Sequence, residues 1–253
     1  MHHAISARRA VGLLALSCAL LASPARGDLV LLGSDYLQTV QPTFFVPLGP
    51  ANPLMGVPIG PGNTDTIVRR HANCALSLST IGSQCTIPIE MVALQLVSVQ
   101  PIGVRVRESP SLTSSGQMQI SSDGSGNGGT FNSFFDVFFE LSLDDGNTWQ
   151  PQGPLHLNSV NTGWTTTEPL LLVDGLVGDP LANRHTNKGI DCPSGMRCVD
   201  FYLVGDVTEQ HLDGSTHTAR NAVPEPAGLP LVGLALALMA VGTGRRAGRQ
   251  PGR

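Results

Sequence analysis

Cys74, Cys85, Cys192 and Cys198 are the residues of this chain best spaced to react with one another. Four thiols allow three pairings, and the short separations favour Cys74 with Cys85 and Cys192 with Cys198 as disulfides in an oxidising compartment. A four-thiolate zinc site is the alternative, although no C-x-x-C pair is present. His71, His156, His185, His211 and His217 show no H-E-x-x-H or comparable ligand spacing. His211 and His217 flank the Asp213-Gly214 turn and read as an exposed pair across a hairpin. Asp123 to Asn127 and Asp144 to Asn147 place oxygen ligands on loops, as calcium requires, but neither fits the twelve-residue EF-hand. Calcium is the cofactor candidate beside that thiolate alternative, and the expectation is no cofactor. There is no G-x-S-x-G elbow and no phosphate-binding glycine loop. The expectation is a protein that is not an enzyme. Triads assemble from distant residues, so a hydrolase stays as the remote alternative.

Ser142-Leu143-Asp144-Asp145-Gly146-Asn147-Thr148-Trp149 fits the pattern S-x-D-x-G-x-T-W. Here Asp144 can accept from main-chain N–H groups across a turn, Gly146 supplies a positive φ, and Trp149 can pack back over the hairpin. The segment resembles the Asp-box of sialidase-like propellers. That motif recurs once per blade in propellers and is found once here, so the resemblance implies a folded hairpin turn and no sialidase activity.

The elements that must carry these residues read as β. Ile102, Val104 and Val106 alternate with Gly103, Arg105 and Arg107, the period of a half-buried strand. Glu90 to Val99 is an apolar run suited to a strand buried on both faces. Phe131 to Leu143 puts Phe135, Val137, Phe139, Leu141 and Leu143 on one face. Val199 to Val207 has the same character and leads to a turn at Leu212 to Ser215. Clusters of Gly, Pro, Ser and Asn at 47–63, 121–130, 144–154 and 178–195 separate the runs. Strands at regular intervals, without helical periodicity between the termini, predict one all-β domain over 28–222. Its expected form is an antiparallel, jelly-roll-like β-sandwich.

The two ends carry targeting chemistry. Arg8 and Arg9 precede an apolar run from Ala10 to Ala22, closed by the small residues Ala22-Ser23-Pro24-Ala25. This pattern predicts a cleavable secretory signal over 1–27, with a helical apolar core containing Cys18. At the other end Val223-Pro224-Glu225-Pro226 is followed by an uncharged stretch from Ala227 to Thr243. That stretch has roughly 17 residues, the lower bound of the ~17–25 needed to span a hydrocarbon core as a helix. Arg245, Arg246, Arg249 and Arg253 follow, and a basic cluster of this kind stays on the cytoplasmic side.

Val223, Pro224, Glu225 and Pro226, the apolar span and Arg245-Arg246 together resemble the PEP-CTERM sorting signal of exported Gram-negative proteins. The resemblance covers about 30 of the 253 residues. It implies recognition by a membrane sorting enzyme, the exosortase, and a setting of exopolysaccharide and biofilm. The expected path is an inner-membrane-anchored precursor with its body in the periplasm, then release to the cell surface or beyond. Residues 223–253 form the expected sorting tail, with its membrane helix at about 227–243.

Charge sets limits on what the body binds. Residues 28–223 hold eight Lys and Arg against eighteen Asp and Glu, a difference of −10, while the whole chain carries −4. The positive charge is concentrated in the two ends. An acidic body repels nucleic acid and anionic membrane surfaces, and its fitting partners are neutral or cationic surfaces or divalent cations. The expectation is a structural or adhesive component of the cell surface or matrix. A carbohydrate-binding module for exopolysaccharide is the alternative, for which Trp149, Trp164 and Tyr202 are the candidate aromatics. A glycan-active hydrolase with paired carboxylates is the more remote one.

Overall fold

The computed structural model describes residues 27–48, 53–60, 62–98, 103–172 and 192–223. The chain forms β1 (Asp28–Val30), β2 (Gly33–Thr39), β3 (Leu54–Gly56), β4 (Thr66–Arg70), β5 (Cys74–Leu76), β6 (Gln84–Ser98) and β7 (Arg105–Glu108). It continues with β8 (Ser114–Ser122), β9 (Gly128–Ser142), β10 (Gln150–Thr165), β11 (Arg197–Val199), β12 (Tyr202–Val204), β13 (Val207–Gln210) and β14 (Thr216–Asn221).

The all-β expectation holds, but the sandwich does not. Hydrogen-bonded neighbours run β2, β4, β6, β8, β9, β10, β13, β14 and back to β2, an eight-stranded antiparallel barrel. A sandwich leaves edge strands on two sheets, whereas here the ring closes on itself. The closure rests on length. β9 and β10 have 15 and 16 residues, long enough to bend and to pair along both sides. β6 is equally long: Gln84 to Met91 pair with β8, and Gln95 to Val97 pair with β7. β9 takes the same two partners on its other side. β7 and β8 thus act as one wall strand interrupted at 109–113.

Alternating side chains fill the barrel: Ile87, Ile89 and Met91 from β6, Met118 and Ile120 from β8, Phe131, Phe135 and Val137 from β9, and Leu155 and Leu157 from β10. Phe201 stacks on Trp164 at 5.4 Å between ring centroids and meets Phe131 edge-on at 5.4 Å. The described part of the run, 90–98, is buried on one face, not two, because its outward residues Val92 and Ala93 meet a small outer cluster of Tyr36, Ile67 and Ala222. Phe135 and Val137 point inward as expected, whereas Leu143 is 63 % exposed beyond the end of β9. The run at 199–207 divides among β11, β12 and β13.

A three-stranded sheet of β11, β1 and β5 adds Val30, Cys74, Leu76 and Val199 to the same core. Both expected cysteine pairs lie at disulfide distance. Cys74 and Cys85 tie β5 to β6 with Cα atoms 5.8 Å apart, and Cys192 and Cys198 stand 5.7 Å apart at β11. Among the described residues the one helical element is a 3-10 turn at Val46–Leu48, and no helix is long and apolar enough to cross a membrane. The expected signal helix, up to residue 26, and the expected membrane helix at about 227–243 lie outside the described residues. So do Pro224, Glu225, Pro226, Arg245 and Arg246.

Candidate functional site

The pleat that points Phe131, Phe135 and Val137 inward leaves Asn132 and Phe134 on the outer wall. Register then fixes their neighbours. Gln117 of β8 and Asn158 of β10 lie directly across from Phe134 on its two sides. Pro88 of β6 lies beyond Gln117, and Gln210 of β13 lies beyond Asn158. A second row beside the first runs Thr86, Gln119, Asn132. Thr86, Gln117, Gln119, Asn132, Phe134 and Asn158, with Val160, line a shallow groove of about 610 Å³. That volume falls within the ~300–1,000 Å³ of small-molecule sites.

An irregularity in β10 shapes one side of the groove. The register with β9 shifts between Ser159 and Thr162, and Asn161 takes a φ of 58°. The extra residue lifts Val160 out of the wall, where it is 73 % exposed. Asn161 donates its main-chain N–H to Asn132 Oδ1 at 2.8 Å, which holds the bulge against β9. Asn158 and Val160 also line an adjoining groove of about 520 Å³ that continues to Thr208 and Gln210 of β13.

Charge stays off the two rows and gathers in the next one. There Glu90, Ser115, Asp136 and His156 lie across β6, β8, β9 and β10. His156 Nδ1 is 2.7 Å from Asp136 Oδ1, and His71 Nε2 is 2.7 Å from Glu90 Oε2. The His156 ring also stacks against Phe134, with centroids 5.4 Å apart. Phe134 is thereby backed on its charged side and open toward the amides.

The aromatics nominated from sequence are placed elsewhere. Trp164 and Tyr202 are 2 % and 3 % exposed and belong to the interior. Trp149 is half-buried beneath Arg107, whose Cζ sits 4.0 Å from the ring centroid. The Asp-box-like segment forms the β9–β10 hairpin turn. Asp144 Oδ1 accepts from Ser142 Oγ and from the Thr148 N–H, both at 2.8 Å, and Asp144 Oδ2 accepts from Thr148 Oγ1 at 2.7 Å. Gly146 has a φ of 89°, and its N–H donates to Ser142 Oγ at 2.8 Å. These donors, Thr148 first, lower the Asp144 carboxyl to about 2. In the other loop named for calcium, Asp123 Oδ1 accepts the Ser125 N–H at 2.8 Å. Asp123 and Asp144 are hydrogen-bonded within their own turns, and Asp145 pairs with Arg105 at 2.7 Å. Among the described residues no three His, Cys, Asp or Glu converge to hold a metal ion.

His211 and His217 do not face each other. His211 Nδ1 is 2.6 Å from Asp213 Oδ1, while His217 turns into the barrel and is 3 % exposed. A polar chain runs through it that no local sequence pattern announces. His217 Nδ1 is 3.3 Å from Glu209 Oε2, and its Nε2 is 3.1 Å from Thr39 Oγ1. Thr39 Oγ1 donates to Asp65 Oδ1 at 2.9 Å, and the Thr39 N–H donates to Asp65 Oδ2 at 2.7 Å. Burial raises the Asp65 pKa, against the hydrogen bonds from Thr39 and Thr66. The Thr39 hydroxyl has one proton and gives it to Asp65, so His217 faces its lone pair. This is the geometry of a fastener between β2, β13, β14 and the approach to β4, and not that of an activated nucleophile.

No protein-family model matches the chain, and no curated protein or solved structure matches it.

Proposed function

We propose that this is an exported, C-terminally sorted component of the cell surface or extracellular matrix, whose barrel binds a neutral polysaccharide on the face centred on Phe134. The observation that carries the reading is the placement of Phe134 directly between Gln117 and Asn158 on an exposed sheet face. An aromatic ring offers its face to the C–H side of a pyranose. An amide donates and accepts at once, matching paired hydroxyl groups, and amides stay uncharged at every pH of interest. A charge-free groove on a body of net −10 favours a neutral polymer over an acidic one. Two disulfide pairs suit the oxidising side of the membrane.

Sorting supplies the placement. β14 ends at Asn221, two residues before the Val223-Pro224-Glu225-Pro226 motif, and Val223 still accepts the Asn63 N–H through its carbonyl at 3.3 Å. In this reading the membrane segment holds the precursor, an exosortase-type enzyme cuts near the motif, and the freed barrel remains with the exopolysaccharide. The role is adhesive, without catalysis.

Affinity electrophoresis of the barrel tests the binding step, in gels containing exopolysaccharide from the producing organism or neutral β-glucans and mannans. The expected result is retardation in at least one gel that Phe134→Ala abolishes while leaving the melting temperature unchanged. Unretarded migration in every gel, or retardation indifferent to Phe134→Ala, would sink the reading.

A further inference from the structure

Resting on that reading, we infer that the site takes an internal stretch of the polysaccharide chain, laid across the strands for about four or five sugars, and not a chain end. The groove is narrow along the strands, and the row through Phe134 is long across them. Along β9 its lining holds two outward residues, Asn132 and Phe134, about 7 Å apart, and the ion-paired row of Asp136 and His156 bounds it on one side. That width admits one chain. Across the barrel the Phe134 row continues through Pro88, Gln117, Phe134, Asn158 and Gln210, on five successive strands.

Adjacent strands lie ~4.8 Å apart, so these five positions span about 19 Å. One pyranose advances an extended chain by about one strand spacing, giving roughly one sugar per strand. Neither end of the track is walled. The groove at Phe134 runs onto exposed Thr86 on one side, and Pro88, two residues along β6, is also exposed. On the other it passes Asn158 into the adjoining groove, where Thr208 and Gln210 are exposed and Asp206 and His211 also line the wall. A site built for a chain end would close around the terminal ring, whereas this one lets the polymer enter and leave. The exposed Val160 stands over the joint between the two grooves.

The experiment takes the polysaccharide that retards the barrel, cuts it by partial acid hydrolysis and separates oligomers of one to eight sugars. Calorimetry then measures each against the wild type, Gln210→Ala and Phe134→Ala. Affinity should climb to four or five sugars and level off. Gln210→Ala should lose roughly three- to tenfold on the longest oligomers, the worth of about one hydrogen bond, and nothing on the disaccharide. Borohydride reduction of the terminal ring should leave the hexamer's affinity unchanged. A plateau at one or two sugars, a Gln210→Ala loss independent of length, or loss of binding after reduction would overturn the internal-chain inference while leaving polysaccharide binding intact. Absence of any retarding polysaccharide would instead remove the reading beneath it.

Discussion

Inside the barrel the Arg70 Nε donates to Asp35 Oδ2 at 2.9 Å, and the two side chains are 0 % and 5 % exposed. Arg70 also donates to the Leu31 carbonyl, and its guanidinium lies 5.1 Å from the Phe201 ring centroid. A buried pair of this kind gains less from its own attraction than it loses when one member goes, because the remaining charge is stranded away from water. Arg70→Met should therefore destabilise the barrel by about 3–5 kcal/mol, while the double variant Asp35→Leu, Arg70→Met should recover most of that loss. Urea unfolding of the three proteins measures both, and a double variant no more stable than the single one would refute the account.

Glu108 gives a pH dependence with a definite sign. Burial, opposed by a hydrogen bond from Ser114 and reinforced by the nearby Glu90 charge, raises its pKa from 4.5 to about 7. The folded protein then holds a proton that the unfolded chain has released. Stability from this group is full below pH 4.5, falls as the pH rises toward 7 and is lost above it. Glu108→Gln should raise the melting temperature at pH 8 and leave it unchanged at pH 4. The residue is only partly buried, so solvent screening keeps the gain to about 1–2 kcal/mol. Equal shifts at both pH values would mean that packing, and not charge, sets the effect.

The β character of this fold was legible in the sequence because period-2 alternation in 131–141 is local. Barrel closure was not, because inward and outward residues alternate identically in a sandwich wall and a barrel wall. The pairings that decide between them, β10 with β13 and β14 with β2, join residues far apart in sequence. The site was hidden for the same reason. Gln117, Phe134, Asn158 and Gln210 mean little singly, and only register puts them in one row. Trp164, a large aromatic, serves the core, and the ring on the amide-lined outer face is the partly exposed Phe134. The cysteine pairs and the hairpin turn at Asp144 could be read early because each is short-range.

That turn predicts a local effect. Asp144 holds the Thr148 N–H, the Thr148 hydroxyl and the Ser142 hydroxyl, and its pKa of about 2 lies below the ordinary 3.8. A lowered carboxylate pKa contributes stability above pH 3.8 that disappears as the pH falls through 2. Asp144→Ala should accelerate amide exchange at Thr148 and at Gly146, which hangs on the oriented Ser142 hydroxyl. The amides of Phe135 and Leu157 in the barrel wall should keep their protection. Uniform acceleration across the molecule would show that the turn matters to global folding and is not an independent hairpin clasp.

The tail offers a prediction that separates insertion from recognition. In the proposed sorting reading, membrane insertion would depend on the uncharged stretch and the arginines that follow it, because hydrocarbon transfer and the positive-inside bias set topology. Neither depends on Pro224 or Glu225. Replacing both with Ala should leave the precursor in the inner membrane with its barrel in the periplasm, and should block the cut that frees it. Intact mass of protein from membrane and culture supernatant reads the outcome. Wild type should give a supernatant species lacking both the leader and everything beyond about Val223 to Pro226, with its four cysteines alkylated only after reduction. The double variant should give only a membrane species that retains Arg245 and Arg246. A supernatant species of the same mass from both proteins would show that release does not read the Pro-Glu-Pro motif. The tail would then be an ordinary anchor that a non-specific protease trims.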